Sequence, residues 1–175
     1  MDFAPPPGTQ IEIFPGKGDL RSRLLSKEAD ALITPDILLG SGTRRLLSQP
    51  KELEKSYYMR TGIFPINHAV VIREHVLHEY PWLPQSLFDA WSRAKKLALE
   101  DDEDPTYSNF AWVRDLWEEE RALFGPDPWR YGMAANERVV QALIRYAAEQ
   151  GILTERVAAG TLFLSVNEEG ELSGR

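Results

Sequence analysis

Hydrophobic positions change their period along the chain. Ile11-Glu12-Ile13-Phe14 alternates with a period of two, Pro15-Gly16-Lys17-Gly18 turns, and Asp19 stands where it can cap a helix bearing Leu20, Leu24, Leu25 and Ala29. Asp30 closes that helix, and Ala31-Leu32-Ile33-Thr34 predicts a second strand. Residues 10–34 therefore read as a β-α-β unit with a parallel pair and a right-handed crossover. Pro35 to Gly42 is a loop of turn formers ending in Gly40-Ser41-Gly42. Pro50, suited to a first helical turn, opens a helix over Lys51–Met59 that puts Leu53 and Tyr57 on one face and Tyr58 beside Arg60.

The next stretch organises the rest. Ile63, Phe64, Ile66, Val70, Val71 and Ile72 are β-branched or aromatic, which predicts one long strand, with Pro65 marking an edge or a bend in it. After Arg73 the period becomes helical. Val76 and Leu77 fall in a short helical turn, and Pro81 and Pro84 mark the start of a helix whose apolar face is Leu87, Phe88, Trp91, Ala94 and Ala98. The acidic run Asp101 to Asp104, followed by Pro105, interrupts it. A further helix begins near Ser108, carries Trp112, Val113, Leu116, Trp117, Leu123 and Phe124, turns Glu118, Glu119 and Glu120 to water, and stops at Gly125-Pro126. Asp127 to Gly132 is a tight aromatic loop. Asn136 then caps a last long helix through Val140, Leu143, Ile144 and Ala147 to Gly151, and a shorter element lies around Leu162 and Phe163. The organisation expected is a flexible tail at 1–9, an α/β portion at 10–62, a long strand with a mainly helical part at 63–166, and a polar tail at 167–175.

Composition narrows the functions. With 175 residues, 43% of them hydrophobic, the chain can bury one ordinary core. A formal charge of −7 disfavours a nucleic-acid surface, which needs a basic excess to release counterions. There is no cysteine, so disulfides, thiolate metal sites and thiol nucleophiles are excluded. No run approaches the ~18 apolar residues of a membrane helix. Asp2 and the prolines at 5 to 7 stand where a secretion signal would carry basic and apolar residues, so the expected compartment is cytoplasmic.

Most chemically suggestive clusters read more simply as structure. Gly16-Lys17-Gly18-Asp19 lacks the spacing and terminal Ser/Thr of a phosphate loop. Asp101 to Asp104 lacks the alternating ligands and downstream glutamate of a calcium loop. His75 and His78 are three apart with no third ligand of matching spacing, so no metal is predicted. His68 differs, because it interrupts an apolar run that carries Arg60 and Thr61 upstream. An imidazole, with a reference pKa of about 6.5, can move a proton near neutrality.

The run from Tyr57-Tyr58-Met59-Arg60-Thr61-Gly62 through Ile63-Phe64-Pro65-Ile66-Asn67-His68 to Arg73 resembles the signature of the 4,5-dihydroxyphthalate decarboxylase family. A second block, Leu123-Phe124-Gly125-Pro126-Asp127-Pro128-Trp129-Arg130-Tyr131-Gly132, followed by Asn136, Tyr146 to Gly151 and Leu162-Phe163, resembles that family's C-terminal pattern in order and spacing. The likeness spans roughly residues 10 to 166. It implies a partial type 2 periplasmic-binding-protein-like α/β fold: residues 10–62 as a remnant of the second lobe, Ile63 to Ile72 as the strand crossing back, and the N-terminal lobe missing. Three positions depart from the pattern. Thr34-Pro35-Asp36 stands where an arginine-bearing loop is usual, Asn67 replaces an apolar residue, and Arg130 replaces proline.

What the resemblance implies about function is decarboxylation of an aromatic dicarboxylate without metal or organic cofactor, with His68 as proton carrier. A cation on the departing carboxylate would stabilise the ground state and oppose its loss, so Arg60 is assigned to the spectator carboxylate. Tyr58 and Thr61 are assigned as hydrogen-bonding neighbours. The partner expected is a small aromatic carboxylate, with no nucleic acid and no membrane, and either a homo-oligomer or the missing lobe completing the protein. Two other readings share the fold: a solute-binding module of a transporter and an inactive fragment of the decarboxylase.

Overall fold

The computed structural model describes residues 7–12, 19–35, 42–104, 106, 108–155 and 157–167. Among them the regular structure is helical: α1 (Leu20–Leu25), α2 (Pro50–Thr61), α3 (Glu74–Glu79), α4 (Leu83–Asp102), α5 (Val113–Phe124) and α6 (Met133–Glu149), then a 3-10 turn at Ala159–Thr161 that packs on α6.

Helix boundaries follow local chemistry. Asp19 caps α1, its carboxylate accepting from the Arg21 N–H at 3.1 Å and the Ser22 hydroxyl at 3.2 Å. The helix stops at Leu25, short of the predicted Ala29, because Lys27 turns left-handed at φ 64° and the Glu28 N–H folds back to the Arg23 carbonyl at 2.9 Å. Pro50 opens α2 as predicted. The helix ends at Gly62, whose φ of 64° is left-handed and whose N–H reaches the Tyr58 carbonyl at 2.7 Å. The left-handed φ is what asks for glycine at position 62, since a Cβ there would meet only the end of the flexible Arg138 side chain, at 3.0 Å. Gly125 ends α5 as the sequence predicts, although that helix starts at Val113 and not near Ser108. The last helix begins three residues before Asn136. That side chain sits in the first turn and donates backwards to the carbonyls of Arg130 and Gly132, both at 2.8 Å. Tyr57 of α2 and, after it, Arg145 hold the Tyr146 phenol of α6 below its ordinary pKa.

The α/β expectation is corrected. No strand occurs among the described residues, so neither the β-α-β unit expected at 10–34 nor a crossover strand at Ile63–Ile72 is seen among them, and the partial periplasmic-binding-protein-like fold is not seen. Ile13, Phe14 and the Gly16-Lys17-Gly18 turn lie outside the described residues. The physical reason is that β propensity measures how a side chain fits a pleated surface beside neighbours. Ala31 to Thr34 and Ile63 to Ile72 have the side chains, but among the described residues no second strand lies alongside either.

Full burial is rare. Among the described residues only Val140 on α6 and Ser92 on α4 are fully buried, while Val71 is 90% exposed, Phe110 81% and Trp112 74%. Ser92 is 2% exposed, and its hydroxyl has no hydrogen-bond partner among the described residues. An unsatisfied buried hydroxyl costs about 1–3 kcal/mol. Ser92→Ala should therefore stabilise the protein by about 1 kcal/mol in urea unfolding, and a loss of stability would mean that the hydroxyl is satisfied in solution.

Candidate functional site

Residues Gly62 to Arg73 run between α2 and α3 without regular structure and form one side of a groove of about 860 Å³. Its other sides are Leu87, Phe88 and Trp91 of α4, Val139 and Val140 of α6, the loop Asp127–Gly132, and the stretch from Leu162 to Val166. The lining is mostly apolar, the usual character of a small-molecule site, and the volume falls within the range of such sites.

The alternation of apolar positions on α4 and α6 explains the floor, since residues three and four apart share a helix face. One wall is aromatic. Phe124, at the end of α5, meets the Tyr58 ring at 4.6 Å with the planes at 62° and the Phe64 ring at 4.9 Å, and Phe64 meets Trp129 at 5.0 Å. These edge-on and tilted geometries suit the ring quadrupoles.

The lip is pinned by Lys95. Its ammonium pairs with Asp127 at 2.6 Å, donates to the Trp129 carbonyl at 3.2 Å and lies 4.1 Å from the centre of the Tyr131 ring. Asp127 also accepts from the Trp129 N–H at 2.8 Å, which sets the turn of the loop. Only 11% of the Lys95 side chain is exposed. Neutralising it leaves a half-covered carboxylate without its partner. Lys95→Met should lower stability by about 2 kcal/mol in urea and free the loop to proteolysis. A change within about 0.5 kcal/mol would mean that the ion pair adds nothing to the fold.

The residues singled out in the sequence fall in different places. His68 is exposed, lines the groove, and makes no hydrogen bond to any described residue. Tyr58 lines the same groove and, through its contact with Phe124, belongs to the aromatic wall. Arg60 lies on the far side of that wall. It lines a second cleft of about 730 Å³, with its guanidinium 5.6 Å from the Tyr57 ring centre. Thr61 is occupied with the end of α2, donating to the Tyr57 carbonyl at 2.7 Å and accepting from the Ile63 N–H at 3.2 Å. The structure thus places His68 and Tyr58 on one groove and leaves Arg60 and Thr61 outside it.

Arg130 lines the groove that Arg60 does not, and no carboxylate among the described residues pairs with it. The second cleft has its own cations, Lys51 and Lys55, but both pair with Glu119 of α5. The hydrogen bond to Glu119 raises the Lys55 pKa, and the one from Lys51 heads the causes that lower that of Glu119. Glu119 consequently ties α5 to α2, which differs from the expectation that it faces water. His78 pairs with Glu74 at 3.7 Å on α3. Among the described residues no cluster of three or more potential ligands could hold a metal ion, and no helix is long and apolar enough to cross a membrane.

Comparison with known proteins gives a distant relationship. Over 120 residues, 67% of the chain, it is 30% identical to 4,5-dihydroxyphthalate decarboxylase from Comamonas testosteroni. That stretch is 36% of the Comamonas enzyme, so the chain spans about a third of the length of the curated relative it matches. No family model matches the chain.

Proposed function

We propose that the groove binds an aromatic dicarboxylate of the 4,5-dihydroxyphthalate type and that the chain carries out, or forms part of the machinery for, its decarboxylation. The observation that carries this reading is the placement of His68 on a largely apolar groove of about 860 Å³ with an aromatic wall and with Arg130 on its lining. The distant likeness to the Comamonas decarboxylase supports the same chemistry.

The reaction constrains what the groove must supply. An aryl carboxylate cannot simply expel CO2, because the electron pair left behind lies in the ring plane, where the π system does not stabilise it. A proton must first reach the ring carbon that bears the carboxylate. The phenol para to it promotes this by losing its own proton and pushing electron density into the ring. The carbon–carbon bond then breaks, CO2 leaves, and its bonding pair restores the aromatic ring. In this reading His68 carries the proton to carbon. A spectator carboxylate needs a cation that only orients it. Arg130, on the same groove as His68, suits that role better than Arg60 across the wall.

The test is direct. Purified protein is incubated with 4,5-dihydroxyphthalate and CO2 release is followed, with binding measured in parallel by calorimetry. Release above the buffer rate supports the reading. Heat of binding without release would reduce it to a binding protein, and neither signal would overturn it.

A further inference from the structure

The segment Phe64–Ile72 carries more β-forming side chains than its irregular state uses. None of its backbone N–H or C=O groups hydrogen-bonds to a described residue, and no strand among the described residues runs beside it. Ile66, Val70 and Val71 are 45%, 59% and 90% exposed. A row of free backbone groups flanked by exposed β-branched residues is a template for strand addition.

What should occupy that edge follows from the order of its residues. In an extended chain Phe64, Ile66, His68, Val70 and Ile72 share one face. Read backwards from His68, the same stretch returns apolar residue for apolar residue: Ile66 exchanges with Val70, and Phe64 with Ile72. A two-fold axis at His68 therefore pairs apolar side chains at each of those positions. If the two His68 residues form a hydrogen-bonded pair, Pro65 falls at a non-hydrogen-bonded position, where its missing N–H costs nothing. Charge agrees. A two-fold axis sets each charge near its own copy, and the chain carries −7 in all, yet no Lys, Arg, Asp or Glu occurs between Thr61 and Ile72.

We infer that a second copy of this chain adds its own Phe64–Ile72 segment antiparallel to this one, forming a two-stranded ribbon across a two-fold axis centred on His68. The apolar faces of both strands then lie on one side of the ribbon, continuous with the two grooves. The partner copy contributes its His68 beside the first, so the groove is complete only in the dimer.

Sedimentation of the full chain over a concentration series tests this, together with amide exchange of residues 64–72. The expected result is a dimer in which those amides exchange at least tenfold more slowly than in the monomer. Val70→Lys, at an exposed position, should weaken dimerisation roughly tenfold or more by placing an ammonium among the paired apolar residues. Leu143→Lys, at a 65% exposed position on α6, should leave it intact. Circular dichroism confirms that each variant keeps its helices. A chain that stays monomeric, a dimer whose 64–72 amides exchange freely, or equal sensitivity to the two lysines would overturn the inference. Protection of those amides only by a different polypeptide would overturn it too.

Discussion

Glutamine in place of His68 should slow CO2 release from 4,5-dihydroxyphthalate by about 100- to 10,000-fold, the usual share of a general acid or base. Glutamine is close in size and keeps hydrogen-bonding capacity, but it cannot carry a proton at neutral pH. The loss should fall in kcat with KM little changed, because proton delivery matters in the transition state more than in substrate binding. His68 is exposed and makes no hydrogen bond to a described residue, so the substitution breaks no such bond and the unfolding midpoint should not move. Arg130→Ala should do the opposite and raise KM more than it lowers kcat, as loss of an orienting contact does. A His68→Gln protein that keeps activity within about tenfold of the parent would remove His68 from the reaction.

Phe124→Ala should cost about 3 kcal/mol of stability, at the low end of the range for deleting a core aromatic ring, because Phe124 is only partly buried. The ring touches both Tyr58 and Phe64, at 4.6 and 4.9 Å, and so joins the end of α5 to α2 and to the segment that follows it. Edge-on aromatic pairs add about 0.5–1.5 kcal/mol each beyond the area they cover. With so few side chains fully buried, neighbouring contacts have little capacity to absorb the loss. Urea unfolding measures the change, and a value below about 1 kcal/mol would show that the wall is not a cohesive unit. Phe124→Leu keeps much of the apolar area without the ring geometry and should recover about half.

The helices were legible because their signals are local. Asp19, Pro50 and Gly125 act through backbone groups within four residues, and the structure uses each where the sequence places it. Misplaced ends have equally local causes. Lys27 turns left-handed where the apolar period alone would continue the helix, and Asn136 satisfies carbonyls behind it from inside the first turn.

The strands were misread because a sheet is a relation between segments. Ile63 to Ile72 has the composition of a strand and no strand to pair with among the described residues. The site was partly legible for a similar reason. His68 interrupts an apolar run and draws notice by contrast, whereas Lys95 sits on a helix of ordinary appearance, 32 residues before the aspartate that it holds. Arg60 is close to His68 in sequence, but the turn at Gly62 and the aromatic wall leave the two residues on different clefts. Glu119 has two glutamate neighbours that look identical in sequence, and only the approach of α2 distinguishes it.

The three-way hold of Lys95 has a consequence for how the protein responds to ionic strength. Pairs on the open surface, such as Arg114 with Glu118 and Arg145 with Glu149, are half or more exposed, and their attraction fades as the Debye length shrinks from about 10 Å in 0.1 M salt to about 3 Å in 1 M. The Lys95 ammonium is shielded by the chain itself and held also by a carbonyl and a ring face. Counterions reach it poorly, so brine that loosens the outer pairs leaves the mouth of the groove in its shape.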